Sequence, residues 1–210
     1  MTDYSQSHEQ EHILEFFRKK LGHASGRFLD IGAFDGVTGS NTLALAEMGW
    51  SGLCVEPDPA NFVKLMERHK TSALVECLLA AVGPSASVHR FHGNANQNST
   101  AVNFKRLNQE EVQCYHVLSI TPEAIAWNFG RKFDFVSIDA EQMEYDILRA
   151  AAPVLEAASL LCIEEVADKS ADENTAIYRL ACSMGFTQRI ARTTCYNKDN
   201  EYTNWLLARV

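Results

Sequence analysis

Ile13, Phe16, Phe17 and Leu21 recur at helical spacing, which predicts an amphipathic helix over residues 9–21. The apolar run 27–31 predicts a first strand. A helix follows near Ser40–Met48, capped by Thr38 or Ser40 and closed by Gly49 just past its end. Residues 52–56 predict a second strand. Asp58 and Pro59 then read as an N-cap followed by proline at the first helical position, with Phe62, Leu65, Met66 and His69 on one face. A third strand is predicted at 73–80 and a short one at 87–91. The stretch from His92 to Gln113 is rich in Asn, Gln and Ser and lacks apolar periodicity. It predicts a long irregular segment, a feature usually tied to function or mobility. Beyond it come a short strand at 117–120, a helix at 122–128 and a fourth strand at 133–138. A helix carrying Met143, Ile147, Leu148 and Ala151 leads to a fifth strand at 160–163. Ile177, Leu180, Ala181 and Met184 mark a last helix, ended by Gly185. Residues 186–191 and 203–209 bracket a polar turn and predict a closing antiparallel hairpin. Strands alternating with helices imply right-handed crossovers, so the predicted class is α/β with a mostly parallel sheet and helices on both faces. One domain is expected, with residues 1–24 as an N-terminal helical segment and 25–210 as the core.

The turn after the first strand carries the first chemical signal. Its pattern is D-x-G-x-x-x-G, running Asp30, Gly32, Gly36, with Ala33, Phe34 and Asp35 inside. A dinucleotide site needs G-x-G-x-x-G so that backbone amides reach a pyrophosphate, and Phe34 and Val37 stand where those glycines belong. Carboxylates at 30 and 35 repel a pyrophosphate and suit a ligand with a cationic amino-acid end. S-adenosylmethionine carries an ammonium and a sulfonium and no phosphate. The second strand ends on Glu56, placed to grip both hydroxyls of a ribose, with Pro57 after it. The alternative is a plain strand-to-helix turn in which the two aspartates cap. A nicotinamide oxidoreductase is disfavoured by the glycine spacing.

Bulk properties narrow the partners. The chain has 27 acidic and 19 basic residues, a net charge of −8, and no Lys/Arg run. That argues against a nucleic-acid substrate, whose phosphates call for a basic surface. No apolar run approaches membrane-spanning length, and the polar first ten residues lack a signal-peptide core. Six widely separated cysteines without a C-x-x-C pair predict reduced thiols in a cytoplasmic protein and no zinc site.

Several segments, taken in order, resemble the FkbM family of S-adenosylmethionine-dependent methyltransferases. They are Ser5-Gln6, the run Phe28–Gly36, Ser40-Asn41-Thr42, Gly49–Pro57, Phe133–Glu144 and Asn204-Trp205-Leu206-Leu207. The second signature of that family runs close to D-x-x-x-I-D-x-E-G-x-E. Gln142 stands here where its glycine belongs, and the segment 92–113 departs from the pattern. The resemblance implies a Rossmann-like class I fold with a seven-stranded sheet and an antiparallel strand at the C-terminal end. It implies methyl transfer to an oxygen on a small molecule, sugar or lipid. By the same resemblance Asp30, Gly32, Ala33 and Gly36 form the methionine-side turn, Glu56 binds the ribose and Asp139 sits beside the methyl group. Phe34, Asp35, Asn41, Thr42, Pro57 and Ala81 complete the expected cofactor set. A cofactor-binding protein of the same fold without transfer activity is the alternative.

Transfer to a hydroxyl also requires removal of a proton, by a general base or with a metal. Asp139, Glu141 and Glu144 follow the fourth strand at its carboxyl end, where open α/β sheets bind ligands. Asp139 is expected to act in the chemistry, Glu141 is evenly balanced, and Glu144 is expected to complement its helix dipole. Adjacent strand residues face opposite ways, so only one of Glu164 and Glu165 can reach the crevice, and the family pattern selects Glu164. Asp139 with Glu164 is the candidate pair for a magnesium ion. His92, opening the polar stretch, is the candidate histidine base. His8 and His12, spaced i,i+4, carry a weaker metal signal. Asn98-Ser99-Thr100 reads as either a lid or a plain loop.

Overall fold

The computed structural model describes residues 2–20, 22, 25–94, 97–100, 113–167, 175–196 and 201–209. Helix α1 (Glu9–Lys20) precedes strand β1 (Arg27–Ile31), helix α2 (Leu43–Glu47), strand β2 (Ser51–Glu56), helix α3 (Pro59–His69) and strand β3 (Val75–Leu79). Short strands β4 (Ala81–Val82), β5 (Val88–Asn94), β6 (Gln97–Thr100) and β7 (Gln113–Ile120) follow. Then come α4 (Pro122–Phe129), β8 (Phe135–Ile138), α5 (Glu144–Ala150), α6 (Ala152–Leu155), β9 (Leu160–Ala167), α7 (Ala176–Ser183), β10 (Gln188–Tyr196) and β11 (Glu201–Ala208).

The main sheet has seven strands in the order β10-β11-β9-β8-β1-β2-β3. Neighbours from β9 to β3 pair in parallel, while β11 runs antiparallel to both β9 and β10. The strand order steps outward in both directions from β1 and β8, which opens a crevice at their carboxyl ends. Alternate strand residues feed two cores. Phe28, Cys54, Phe135, Cys162 and Leu206 pack with Ile13 and Phe17 of α1, Leu45 of α2 and Leu65 of α3. Leu29, Ile31, Val55, Val136, Ile163 and Trp205 pack against α4 to α7 through Ile125, Ile147, Leu148, Val154 and Ala181.

The local signals act as physics requires. Asp58 Oδ1 accepts from the Asn61 amide at 2.8 Å, capping α3 ahead of Pro59. Helix α2 is shorter than predicted and starts at Leu43. Ser40 nonetheless supplies its first acceptor, taking the amides of Thr42 and Leu43 at 3.3 and 3.0 Å. Met66, placed on the buried face of α3 by its spacing, is 47% exposed, because the buried stripe runs through Asn61, Leu65 and His69.

Residues 92–94, 97–100 and 113 of the polar stretch depart from expectation, while the rest of 92–113 lies outside the described residues. There β5 runs on to Asn94 and turns back through β6, pairing His92 with Ser99 and Asn94 with Gln97. With β7 and β4 these strands form a second sheet, ordered β4-β7-β5-β6. Asn98-Ser99-Thr100 therefore lies in strand β6. Backbone pairing, not side-chain patterning, makes β6, so no apolar alternation announces it.

Candidate active site

A cavity of about 510 Å³ opens over the carboxyl ends of β1, β2 and β8 and is walled on the far side by the second sheet. The turn beneath it is clamped from two sides. The amides of Gly32 and Ala33 both donate to the Val55 carbonyl, at 2.9 and 3.1 Å, and the Asp139 amide donates to the Ile31 carbonyl at 2.9 Å. Gly32 has φ +84°, and a Cβ there would lie 1.6 Å from the Asp139 carbonyl oxygen. Only glycine fits that close approach. Phe34 also adopts a left-handed conformation, with φ 52°.

Glu56 is held as a fixed acceptor. Its Oε2 accepts the Phe34 amide at 2.9 Å and its Oε1 accepts the Asp58 amide at 2.8 Å. Each oxygen keeps a further lone pair for a ligand. Burial raises this carboxyl to about 7, against the opposing pull of the two amides. Asp30 is raised to about 6 by burial, offset by the Thr42 hydroxyl, which donates to its Oδ2 at 2.6 Å. Asn41 Nδ2 donates to Ser137 Oγ at 3.2 Å, and its buried Oδ1 has no partner among the described residues.

The acids after β8 converge with one from β9. Carboxyl oxygens of Asp139, Glu144 and Glu164 lie within 4.8 Å of one another. Glu144 Oε1 accepts the amides of Ala140 and Gln142 at 2.8 and 3.1 Å, and burial raises its carboxyl. Asp139 and Glu164 share a hydrogen bond. Burial first, then the neighbouring carboxylates, pushes both far above the ordinary carboxylate range. The pair holds a proton at neutral pH. Strand β9 is longer than predicted, so Glu164 and Glu165 lie within it and face opposite ways. Glu164 is buried beside Asp139, while Glu165 Oε2 accepts the Trp205 indole N–H at 2.8 Å.

Of the residues predicted for the site, Asp30, Gly32, Ala33, Phe34, Asn41, Glu56, Pro57, Ala81, Asp139 and Glu141 line the cavity. Four others stand behind the lining. Thr42 orients Asp30, Glu164 backs Asp139, and Gly36 abuts Leu65, where a Cβ would come within 2.7 Å of its Cδ1. Asp35 accepts the amides of Val37 and Thr38 at 2.9 and 2.7 Å. It is the capping residue of the turn, and despite partial burial those bonds hold its carboxyl low. His92 sits opposite Cys114 in the β5–β7 ladder, and its side chain lies outside the described residues. His8 precedes α1 and pairs with Asp3 through Nδ1 at 2.7 Å. The lining residues that escaped sequence reasoning include Val82, Gly83, His89 and Phe91, all from the segment around the second sheet. Ser5 and Gln6 also line the cavity, where Ser5 bridges to Gly39. Among the described residues, no helix is long and apolar enough to cross a membrane.

The strand order, the glycine turn beneath the cavity and the acid closing β2 define a Rossmann-like class I methyltransferase. Comparison with known proteins agrees. A model of the methyltransferase FkbM domain matches residues 30–187, so the chain belongs to the FkbM family and is an S-adenosylmethionine-dependent methyltransferase. No curated protein matches it by sequence. Among solved structures, the METTL16 MTase domain superposes with a TM-score of 0.56 at 10% identity, covering 96% of this chain and 66% of that one. The "putative RNA methyltransferase PH1948 from Pyrococcus horikoshii" gives a TM-score of 0.52 at 13% identity, covering 99% of this chain and 86% of that one. At such identities the likeness establishes the fold alone.

Proposed function

We propose that this protein methylates a hydroxyl oxygen of a small molecule, sugar or lipid. The cofactor lies with its amino-acid end over Gly32–Phe34, near Asp30 and the unpartnered Asn41 oxygen. Its ribose meets Glu56, and its base extends over Pro57 towards Ala80–Gly83. When bound, S-adenosylmethionine supplies the activated methyl group. The chain aligns the acceptor oxygen and excludes water, a contribution worth roughly 7–11 kcal/mol when orientation is good. Asp139 lines the cavity with Glu164 behind it; with the shared proton resting on Glu164, the ionised Asp139 carboxylate receives the acceptor's proton.

The observation that carries the reading is the fixed Glu56 carboxylate, presenting two free lone pairs into a cavity floored by an acid-flanked glycine turn. An acidic cavity edge at Asp139 and Glu141, on a chain of net charge −8, favours a neutral acceptor over a polyphosphate one. A metal-assisted version rests on the three converging carboxyls, since Asp139, Glu144 and Glu164 offer oxygen donors suited to magnesium. The retained proton and the two amides on Glu144 oppose it.

The test is thermal shift with S-adenosylhomocysteine and with NAD, then turnover on a panel of hydroxyl acceptors with and without EDTA. A ligand at a hundredfold excess over its dissociation constant stabilises by roughly 2.7 kcal/mol. A response to NAD alone refutes the reading. Binding without turnover on any acceptor favours a cofactor-binding protein, and loss of turnover in EDTA selects the metal-assisted route.

A further inference from the structure

We propose that His89 reads the exocyclic amine of the cofactor's adenine, and that Ser119 fixes the tautomer that makes this possible. The inference rests on the cofactor orientation proposed above. His89 lines the cavity from β5, on the side where the base would lie. Its Nε2 sits 3.0 Å from Ser119 Oγ and 2.8 Å from Ser87 Oγ. Ser119 is buried on β7, directly beside Ala81 in the β4–β7 ladder. Its hydroxyl donates to the Ser85 carbonyl at 2.8 Å and accepts the Ser87 amide at 3.0 Å.

That accounting decides the ring. The single Ser119 hydroxyl hydrogen has two carbonyl acceptors, Ser85 at 2.8 Å and Ser87 at 3.4 Å, and on either one it leaves Ser119 Oγ to meet His89 as an acceptor. The contact is attractive only when Nε2 carries the hydrogen. In the neutral ring Nδ1 is then a bare acceptor, and among the described residues it has no partner. Adenine presents an N–H donor at its six-position, where hypoxanthine presents a carbonyl oxygen. An acceptor held in place by its neighbours therefore favours the first and opposes the second. Phe91 lies two residues on, buried, with its ring stacked at 6.0 Å on Tyr115. Tyr115 is held in turn by its hydroxyl bond to Asp58 Oδ2 at 2.8 Å. This gives the same wall a flat apolar surface beside the polar reader.

Isothermal titration of the full chain with S-adenosylhomocysteine and with its deaminated analogue S-inosylhomocysteine tests the assignment. The wild type should prefer the adenine compound by about 10- to 100-fold, as expected when an acceptor covered by the ligand loses its donor. His89→Gln keeps a donor in reach of Ser119 but removes the Nδ1 acceptor, and its preference should fall to within about threefold of unity. His89→Asn places an amide oxygen where Nδ1 stood and should keep the preference. The ratio is taken within each protein, so a general loss of affinity cancels. A wild type that binds both compounds equally, or two variants that behave alike, overturns the assignment while leaving the methyltransferase reading intact. A wild type that binds neither compound overturns both.

Discussion

Cofactor binding should be linked to a proton at Glu56. In the free protein this carboxyl is raised to about 7 by burial, with both oxygens held on backbone amides. A ribose diol donates two hydrogen bonds to the carboxylate form, so binding favours ionisation and releases the proton. The size of the effect follows from the pKa. At about pH 5.5 a group titrating near 7 is ionised in roughly one molecule in thirty, so affinity for S-adenosylhomocysteine should be about 30-fold weaker than at high pH. Between about pH 5.5 and pH 8 the affinity should rise and then level off near 7. Proton release, measured by titration calorimetry in buffers of different ionisation enthalpy, should be largest at the acid end. In Glu56→Gln the linkage should vanish, apart from a weaker slope below about 6 that belongs to Asp30.

The same group sets a slope in the stability of the ligand-free protein. An acid raised on folding binds its proton more tightly in the native state. Its contribution is fully present below the unfolded value of 4.5 and is lost as pH rises through about 7. The loss amounts to about 3 kcal/mol from this residue, read as the difference in denaturation slope between wild type and Glu56→Gln over that window. A wild-type affinity that stays flat across the range, or a slope unchanged in the variant, would refute the assignment of Glu56 as ribose acceptor.

Two further outcomes follow from backbone geometry. Gly32→Ala forces a Cβ to within 1.6 Å of the Asp139 carbonyl and strains a residue at φ +84°. Urea denaturation should show a loss of more than about 3 kcal/mol, combining overpacking and left-handed strain, and a variant of wild-type stability would contradict the clamped turn. Gln142 is exposed and left-handed at φ 79°. Gln142→Gly should therefore stabilise by about 1 kcal/mol and raise the melting temperature by roughly 2–4 °C, and a lowered melting temperature would count against that strain.

The parts of the site that were legible in the sequence are those fixed by neighbours along the chain. Gly32, Glu56 and Asp139 each end a strand or follow one directly, and each strand is a run of apolar residues that periodicity detects. The sequence treated Asp30 and Asp35 alike, because it shows two acids flanking a turn and not which amides they meet. Asp35 is consumed by Val37 and Thr38, whereas Asp30 reaches the cavity. Strand β9 continues past Ile163 because β11 lies beside it, pairing Asn204 with Glu164 and Thr203 with Glu165. That partner is some forty residues away and leaves no mark on the local pattern. Strand β6 of the second sheet was hidden for the same reason. Gln97–Thr100 is polar throughout, and its strand exists because β5 supplies the other half of the ladder. His89 was one of seven histidines, and only the Ser85–Ser87–Ser119 arrangement distinguishes it.

The distribution of charge ties these features together. Asp30, Glu56, Glu144 and Glu164 are buried, and Asp139 faces the cavity beside them. Among the described residues none of the five pairs with a lysine or arginine; the ion pairs lie elsewhere, at residues such as Glu47, Glu76 and Glu156. Buried carboxylates without counter-charge are costly, and the free protein limits that cost by holding protons on the Asp139–Glu164 pair and, in part, on Glu56. The proposed ligand brings the missing cations, an ammonium towards Asp30 and a sulfonium towards Asp139. Unpaired acids that weaken the empty site thus become its source of affinity, and after the methyl leaves, the product has lost the sulfonium charge. Attraction to Asp139 would fall at that step, so S-adenosylhomocysteine should bind more weakly than the charged donor, which titration calorimetry with both compounds checks.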